Sequence, residues 1–299
     1  MGMRKQCGRE IATEEIEHIQ CVCNEYPGLS RKELAETICE HLEWVTASGA
    51  NKVQACLKLL EKLANEGMVH LPEKGAVRGP SGKVELTNRT KEPGVEVVGR
   101  LGDLGDVWLE AAMSREDKAL WNEYVERYHY LGYKKPFGFR RRYFIDSGQG
   151  RLGCVLLAGA AKALTVRDTW IGWDEVHRLQ NLPWVVNNAR FLLFPWVRVK
   201  NLASYVLGQV VRCVPQDWKE TWGFRPALME TFVDPGRFKG VSYRAAGWEY
   251  LGMTTGHGLV RPGKTYETVP KMIFMKPLVS DFREQLCGHP ERASESWDE

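Results

Sequence analysis

Residues 191–197 read FLLFPWV, an apolar run without a charged residue. A strand with one wet face alternates apolar and polar side chains. An unbroken run belongs near the centre of a sheet covered on both faces. The second half of the chain supplies the rest of such a sheet. Residues 142–145 and 152–158, joined by a Gly-rich turn at 147–150, form a hairpin. Residues 227–233 make another strand, closed by the Asp234-Pro235-Gly236 turn, and residues 271–276 make the last. The S-x-x-D signature at Ser114 opens a helix with Trp121, Tyr124, Val125 and Tyr128 on one face. A helix follows the apolar run as far as Cys213, and another is predicted over 241–250. Residues 169–173 read as a strand end, and 174–182 as helix or loop. The fold class is α/β with a mixed sheet, over residues 107–287.

Residues 1–74 are of another kind. Ile16, Ile19 and Val22 recur at helical spacing over 11–24, and Pro27-Gly28 ends that helix. Ser30 with Glu33 three residues on is a capping box; it opens a helix with Leu34, Ala35, Ile38 and Leu42 on its apolar face. Val53, Leu57, Leu60 and Leu63 mark a third helix over 53–66, and 68–71 a short strand. Three helices and a strand is the order of a winged helix-turn-helix, whose third helix enters the major groove of duplex DNA. Asn51, Lys52, Gln54 and Lys58 suit phosphates and base edges, while Glu61 and Glu66 on the same helix oppose them. Residues 75–106 read as a linker by composition, and 288–299 as a disordered acidic tail.

The net charge is only +3, so contact with nucleic acid must come from local clusters. Residues 134–144, KKPFGFRRRYF, form one. Lys134, Lys135, Arg140, Arg141 and Arg142 interleave there with aromatics. Such a segment can track a backbone and stack bases of single or distorted strands, or protect a strand edge against aggregation. The eight cysteines show no CxxC pair or zinc spacing and read as reduced thiols. No run approaches the roughly 18 apolar residues of a membrane span, and no signal core stands at the N-terminus. A cytoplasmic protein with no membrane partner is expected.

Arg198-x-x-Asn201-x-Ala203 approximates the pyrophosphate loop of Gcn5-related N-acetyltransferases (GNAT), with Asn201 and Ala203 in place of glycines. It opens a helix whose first N–H groups suit an anion. The strand order fits that fold as well, so a GNAT-like topology is expected.

HYLG (129–132), WIGW (170–173), NNARFLLFPWVRVKNLASYVL (187–207), DW (217–218), ETFVD (230–234), GVSYRAAGW (240–248) and GMTTGHG (252–258) together resemble the Druantia anti-phage protein A (DruA) family. The N-terminal GREIATEEIEHIQ and PGLSRKELAETICEHLEW resemble the helix-turn-helix start of its long, transposase-related members. The resemblance covers nearly the whole chain. It implies phage defence or DNA mobility, with DNA and defence-system or mobile-element proteins as partners. The chain departs from the family pattern at Gly247, where an Asn is usual, and at His257, where an Arg is usual.

Three chemistries stay open. DNA strand cleavage and joining would use Glu230 as base or metal ligand and Arg190 as phosphate clamp. Tyr243 would be its acid or nucleophile, with Asp234 and Ser204 beside it. Asp168, Glu230 and Asp234 are the candidate ligands for Mg²⁺. Against this stand simpler roles, Asp234 as the cap of its turn and Glu230 as the partner of an arginine. Acyl-CoA-dependent transfer to a nucleobase or amine would hold acetyl-CoA on Arg198, Asn201 and Ala203, with Tyr243 as acid. A non-catalytic DNA-binding adaptor is the third. His129, His177 and His257 are too dispersed to read as a metal site.

Overall fold

The computed structural model describes residues 4–6, 9–26, 28–46, 50–73, 84–93, 95–256 and 269–288. His257 and the acidic tail beyond Gly288 lie outside the described residues. A short antiparallel hairpin, β1 (Arg4–Gln6) and β2 (Arg9–Ile11), precedes three helices, α1 (Thr13–Glu25), α2 (Arg31–His41) and α3 (Val53–Asn65). The capping box at Ser30 is formed: the Glu33 carboxylate accepts from Ser30 N at 2.9 Å, and the Ser30 hydroxyl from Glu33 N at 3.4 Å. Residues 68–71 form no strand. Met68 N instead closes α3 on the Leu63 carbonyl at 2.9 Å. The strand expected after the third helix is therefore missing there, and the hairpin of this region lies ahead of α1.

Residues 84–106 are not a free tether either. β3 (Val97–Arg100) lies in this stretch, and β4 (Val107–Ala111) and α4 (Arg115–Tyr128) follow. Before β3, the buried Glu123 of α4 accepts from Thr87 N at 2.5 Å and from the Thr90 hydroxyl at 2.7 Å, which pins the stretch to the helix. The chain continues through β5 (Arg141–Ser147), β6 (Gly150–Gly159), α5 (Thr165–Ile171), α6 (Glu175–Asn181) and β7 (Val185–Leu193). It then runs through β8 (Val197–Lys200), α7 (Leu202–Trp222), β9 (Leu228–Val233) and α8 (Val241–Ala245) to β10 (Glu249–Met253), β11 (Met272–Pro277) and α9 (Phe282–Cys287).

Seven strands form the main sheet in the order β10-β11-β9-β7-β6-β5-β4. Every neighbouring pair is antiparallel except β7 and β9. These two run parallel with α7 between them in the chain, the mixed, acetyltransferase-like order expected from the sequence. They pair only over Val185–Asn187 against Leu228–Glu230 and then diverge. At the point of divergence β7 carries a bulge: Leu157 faces Asn188 but Leu156 faces Arg190, which leaves Ala189 unpaired. A bulge bends its strand and re-aims the next side chain, and Arg190 is the residue re-aimed.

Three local expectations are corrected. The central strand begins at Val185, ahead of the apolar run, and ends before Pro195, which has no N–H for a ladder. Residues 169–171 end α5, Gly172 caps it and Trp173 follows outside any strand. The helix expected over 241–250 stops at Ala245, and Glu249 starts β10.

The helical N-terminal part packs on the sheet domain through α2. Glu33, Glu36 and Glu40 share one helix face at spacings of three and four. They pair with Arg140, with Lys135 (2.5 Å) and with Lys134 (3.8 Å). Gly138 N donates to the Thr37 hydroxyl at 3.1 Å, and Phe139 stacks on Tyr26 at 4.9 Å. Beside this seam, His18 Nε2 and His41 Nδ1 lie 3.0 Å apart and buried, and Lys162 Nζ donates to the His41 carbonyl at 2.6 Å. Burial, then the Lys162 charge, pulls His18 down to about 4; burial, then its neighbour His18, holds His41 well below the usual value. Unfolded histidines titrate near 6.5. Below that pH the unfolded chain binds more protons than the folded one, so stability falls as the pH drops. Urea midpoints should be lower at about pH 5 than at about pH 7.5, and His18→Gln/His41→Gln should flatten the difference.

Candidate nucleic-acid interface at the diverging strands

The gap between β7 and β9 is filled by Tyr243 from α8. Its ring stacks on Phe274 at 5.6 Å and meets Trp248 at 5.2 Å and Phe191 at 6.4 Å. Its hydroxyl accepts from Asn188 Nδ2 at 3.1 Å and lies 3.4 Å from the Thr231 hydroxyl, which donates to the Asn188 carbonyl at 3.0 Å. Burial pushes this phenol up to about 12. The side chain ties α8 to both diverging strands, and its hydroxyl is already satisfied. Gly247, two residues beyond α8, has φ +73. Gly and Asn are the residues that tolerate this left-handed conformation, so Gly at this family Asn position keeps the backbone path.

Glu230 points to the opposite face of β9 from Thr231, because successive strand residues alternate. It is fully buried with Arg167. The Arg167 Nη1 donates to Glu230 Oε2 and to the Ala161 carbonyl, both at 2.8 Å, while Glu230 Oε1 accepts from Ala161 N at 2.7 Å. Asp168 closes the network: its carboxylate pairs with Arg167 at 2.8 Å and accepts from Trp173 Nε1 at 3.0 Å and Leu164 N at 2.8 Å. Among the described residues no group of three or more His, Cys, Asp or Glu converges as a metal site. Asp168 and Glu230 meet only across Arg167. Asp234 stands at its turn, where its carboxylate accepts from Gly236 N at 2.9 Å. The three proposed Mg²⁺ ligands are thus not brought together.

Arg190 and Asp234 do come to one place, the rim above Tyr243. α4 ends in the tight turn His129-Tyr130-Leu131-Gly132, closed by Gly132 N to the His129 carbonyl at 2.7 Å. Arg190 donates through Nε to the Gly132 carbonyl at 3.2 Å and through Nη1 to the Ala189 carbonyl at 2.7 Å. The Arg237 guanidinium lies 4.8 Å from the Tyr130 ring and 3.8 Å from the Asp234 carboxylate. His129 stacks on Tyr130 at 4.8 Å, and Phe238 approaches it at 5.9 Å. Burial, then Arg190, pulls His129 down to about 4, so it is neutral at neutral pH. Burial and the Asp234 charge raise the Tyr130 phenol, against the opposite pull of Arg190 and Arg237.

The rim continues across exposed residues. Phe238 is 54% and Tyr250 41% exposed, Lys239 is exposed, and the Arg244 guanidinium sits 5.1 Å over both Tyr250 and Phe274. Cations alternate here with flat rings, the composition that holds phosphates while bases stack. The sequence reading located Arg190 and Asp234 but passed over Tyr130 and Arg237. The signal available was the DPGRFKG composition beside HYLG.

The other expected residues lie elsewhere. Lys134, Lys135 and Arg140 are engaged by α2. Arg141 pairs with Asp217 and Thr221, and Arg142 donates to Asn122 (3.1 Å) and Tyr133 (3.0 Å) and lies over Trp121. The segment read as a DNA-tracking surface is therefore largely spent on contacts inside the protein. Asn51, Lys52, Gln54 and Lys58 do share a surface: they line a shallow concavity at the start of α3 with Thr46. Asn51 also donates to Glu40 at 3.1 Å.

Arg198, Asn201, Ala203 and Ser204 form the β8–α7 junction. β3 runs parallel along it, from Val97 opposite Val197 to Arg100 opposite Lys200. Arg198 pairs with Glu96 at 2.9 Å, and the Ser204 hydroxyl donates to the Asn201 carbonyl at 3.1 Å. β3 thus covers the edge of β8 just ahead of the first turn of α7.

No curated protein matches the chain. Solved structures of similar backbone include N-acetyltransferases. One is a spermidine N-acetyltransferase SpeG chimera from Vibrio cholerae and hSSAT, 12% identical, covering 60% of this chain and 98% of that one, with a TM-score of 0.39. Another is the aminoglycoside acetyltransferase AAC(6')-Ib in complex with coenzyme A, at 16% identity, 60% and 98% coverage and a TM-score of 0.39. A third is an N-acetyltransferase from Staphylococcus aureus Mu50, at 9%, 58% and 99%, with a TM-score of 0.33. Similarity this loose passes no activity to this chain. The profile of the Druantia protein DruA matches residues 90–262, more than half of the chain, including the turn at 129–132, the bulged strand and α8. The chain belongs to the Druantia DruA family.

Proposed function

We propose that this protein acts on DNA in phage defence or DNA mobility, and that it cuts or transfers a strand at the rim above Tyr243. Membership of the DruA family supports the defence role. The observation that carries the DNA reading is the convergence of Tyr130, Arg190, Asp234 and Arg237 from three separate segments. They meet where the sheet opens, and exposed aromatics and cations flank them. A phosphate would sit between Arg190 and Arg237, and unpaired bases would stack on Tyr130, Phe238 and Tyr250. The concavity at the start of α3 offers a second, duplex-binding surface.

Arg237→Ala/Arg244→Ala should weaken binding of fluorescent single-stranded DNA by about tenfold or more and lower the salt slope by roughly one to two. Fluorescence anisotropy across a salt series measures both. Unchanged affinity in this variant would remove the rim from the DNA surface. Acyl transfer to a nucleobase or amine is the second reading. A rise in melting temperature with acetyl-CoA, together with no DNA binding, would put that reading in its place.

A further inference from the structure

Two tyrosines stand at this site, and they differ in what their hydroxyls can do. The Tyr243 hydroxyl is held between Asn188 and Thr231. Tyr130 is 36% exposed, and its hydroxyl makes no hydrogen bond among the described residues. Packing against Arg237, His129 and Phe238 fixes its ring. Asp234 lies one guanidinium away, 3.8 Å from Arg237. Arg190 braces the turn that carries Tyr130 through the Gly132 carbonyl.

We propose that Tyr130 is the nucleophile of a DNA phosphodiester exchange, a step that rests on the DNA-processing reading above. The phenol oxygen bonds to phosphorus, and the phosphorus bond to one sugar oxygen breaks. The cut strand is left joined to the protein as a phosphotyrosyl ester. The phenol proton passes through one water to Asp234, and a solvent water protonates the departing sugar oxygen, so protons balance. One phosphoester bond replaces another, so the step consumes no nucleotide and no oxidant. Attack by a second sugar hydroxyl reverses it and joins strands. Arg190 and Arg237 stabilise the charge on the two non-bridging oxygens as the bond order changes. The raised phenol arrives protonated, which is why a carboxylate is needed beside it. His129, held neutral, adds no cation to compete for the phosphate.

The test incubates the full chain, with and without Mg²⁺, with labelled single-stranded DNA of randomised sequence and with phage genomic DNA. The products are run on a denaturing gel. A denaturant-stable protein–DNA adduct is expected, and mass spectrometry should map it to the peptide containing Tyr130. Tyr130→Phe keeps the ring but should lose the adduct entirely, and Tyr205→Phe, on α7 outside the site, should keep it. Binding to the same DNA, measured alongside, separates lost chemistry from a lost site. An adduct that persists in Tyr130→Phe, or strand cleavage without any adduct, overturns the tyrosine step and leaves the DNA-processing reading standing. Neither binding nor cleavage of either DNA overturns both.

Discussion

Glu230→Ala should lower the stability of the folded chain by about 3–5 kcal/mol, the cost of breaking a buried ion pair from one side. Glu230 and Arg167 are both fully buried, so water cannot replace the lost partner. The substitution leaves Arg167 with Asp168 and the Ala161 carbonyl, and it leaves Ala161 N without its acceptor. Both losses fall on the segment that carries α5 across the sheet. Urea denaturation measures the effect. Arg167→Met/Glu230→Met should recover much of the loss, because removing both charges removes the desolvation problem with them. A midpoint unchanged in Glu230→Ala would show that the pair does not hold α5. This measurement bears on function too. Loss of defence activity in a Glu230 variant has to be read against the fraction that remains folded.

The same pair shows where sequence reading reached its limit. A carboxylate in an apolar strand stands out, but its partner Arg167 lies far away in sequence, and nothing local distinguishes a structural ion pair from a chemical one. KKPFGFRRR posed a similar problem. Its charge was evident, whereas its match to Glu33, Glu36 and Glu40 required knowing that α2 docks on it. Features with local causes were legible. The capping boxes at Ser30 and Ser114, the hairpin of β5 and β6 and the strands β9 and β11 followed from turn chemistry and apolar runs. Features decided by tertiary contact were not. Residues 169–173 look strand-like in composition, yet Trp170 packs on Phe282 and Arg283 from α5. The start of β7 was hidden because Asn187 and Asn188 interrupt the apolar run, and Asn188 is there to hold Tyr243. Of the candidate site, Arg190 and Asp234 were found in sequence. Tyr130 was missed because it follows an amphipathic helix and reads as that helix's end.

Gly240→Ala should be costly for a reason that a residue's size alone would not suggest. Gly240 starts α8 at φ +67, and a Cβ there would lie 2.4 Å from Cζ and 2.7 Å from Cε2 of Phe274. The left-handed backbone costs an alanine about 1–2 kcal/mol, and overpacking against a fixed ring adds about 1–3 kcal/mol. Phe274 cannot retreat easily. It is fully buried, with Tyr243 stacked on it at 5.6 Å and Tyr250 at 5.4 Å. A loss of about 2–5 kcal/mol is expected from the sum of the two. Phe274→Leu in the same background should relieve the clash but not the backbone cost, so it should return only part of the stability. Thermal or urea denaturation reads the three variants against the parent. A Gly240→Ala protein as stable as the parent would mean that α8 can shift, and with it the wall that keeps Tyr243 in the gap between β7 and β9. In the expected case the effect reaches the rim as well. α8 also carries Arg244, so the fraction of Gly240→Ala that remains folded should bind single-stranded DNA more weakly than the parent does.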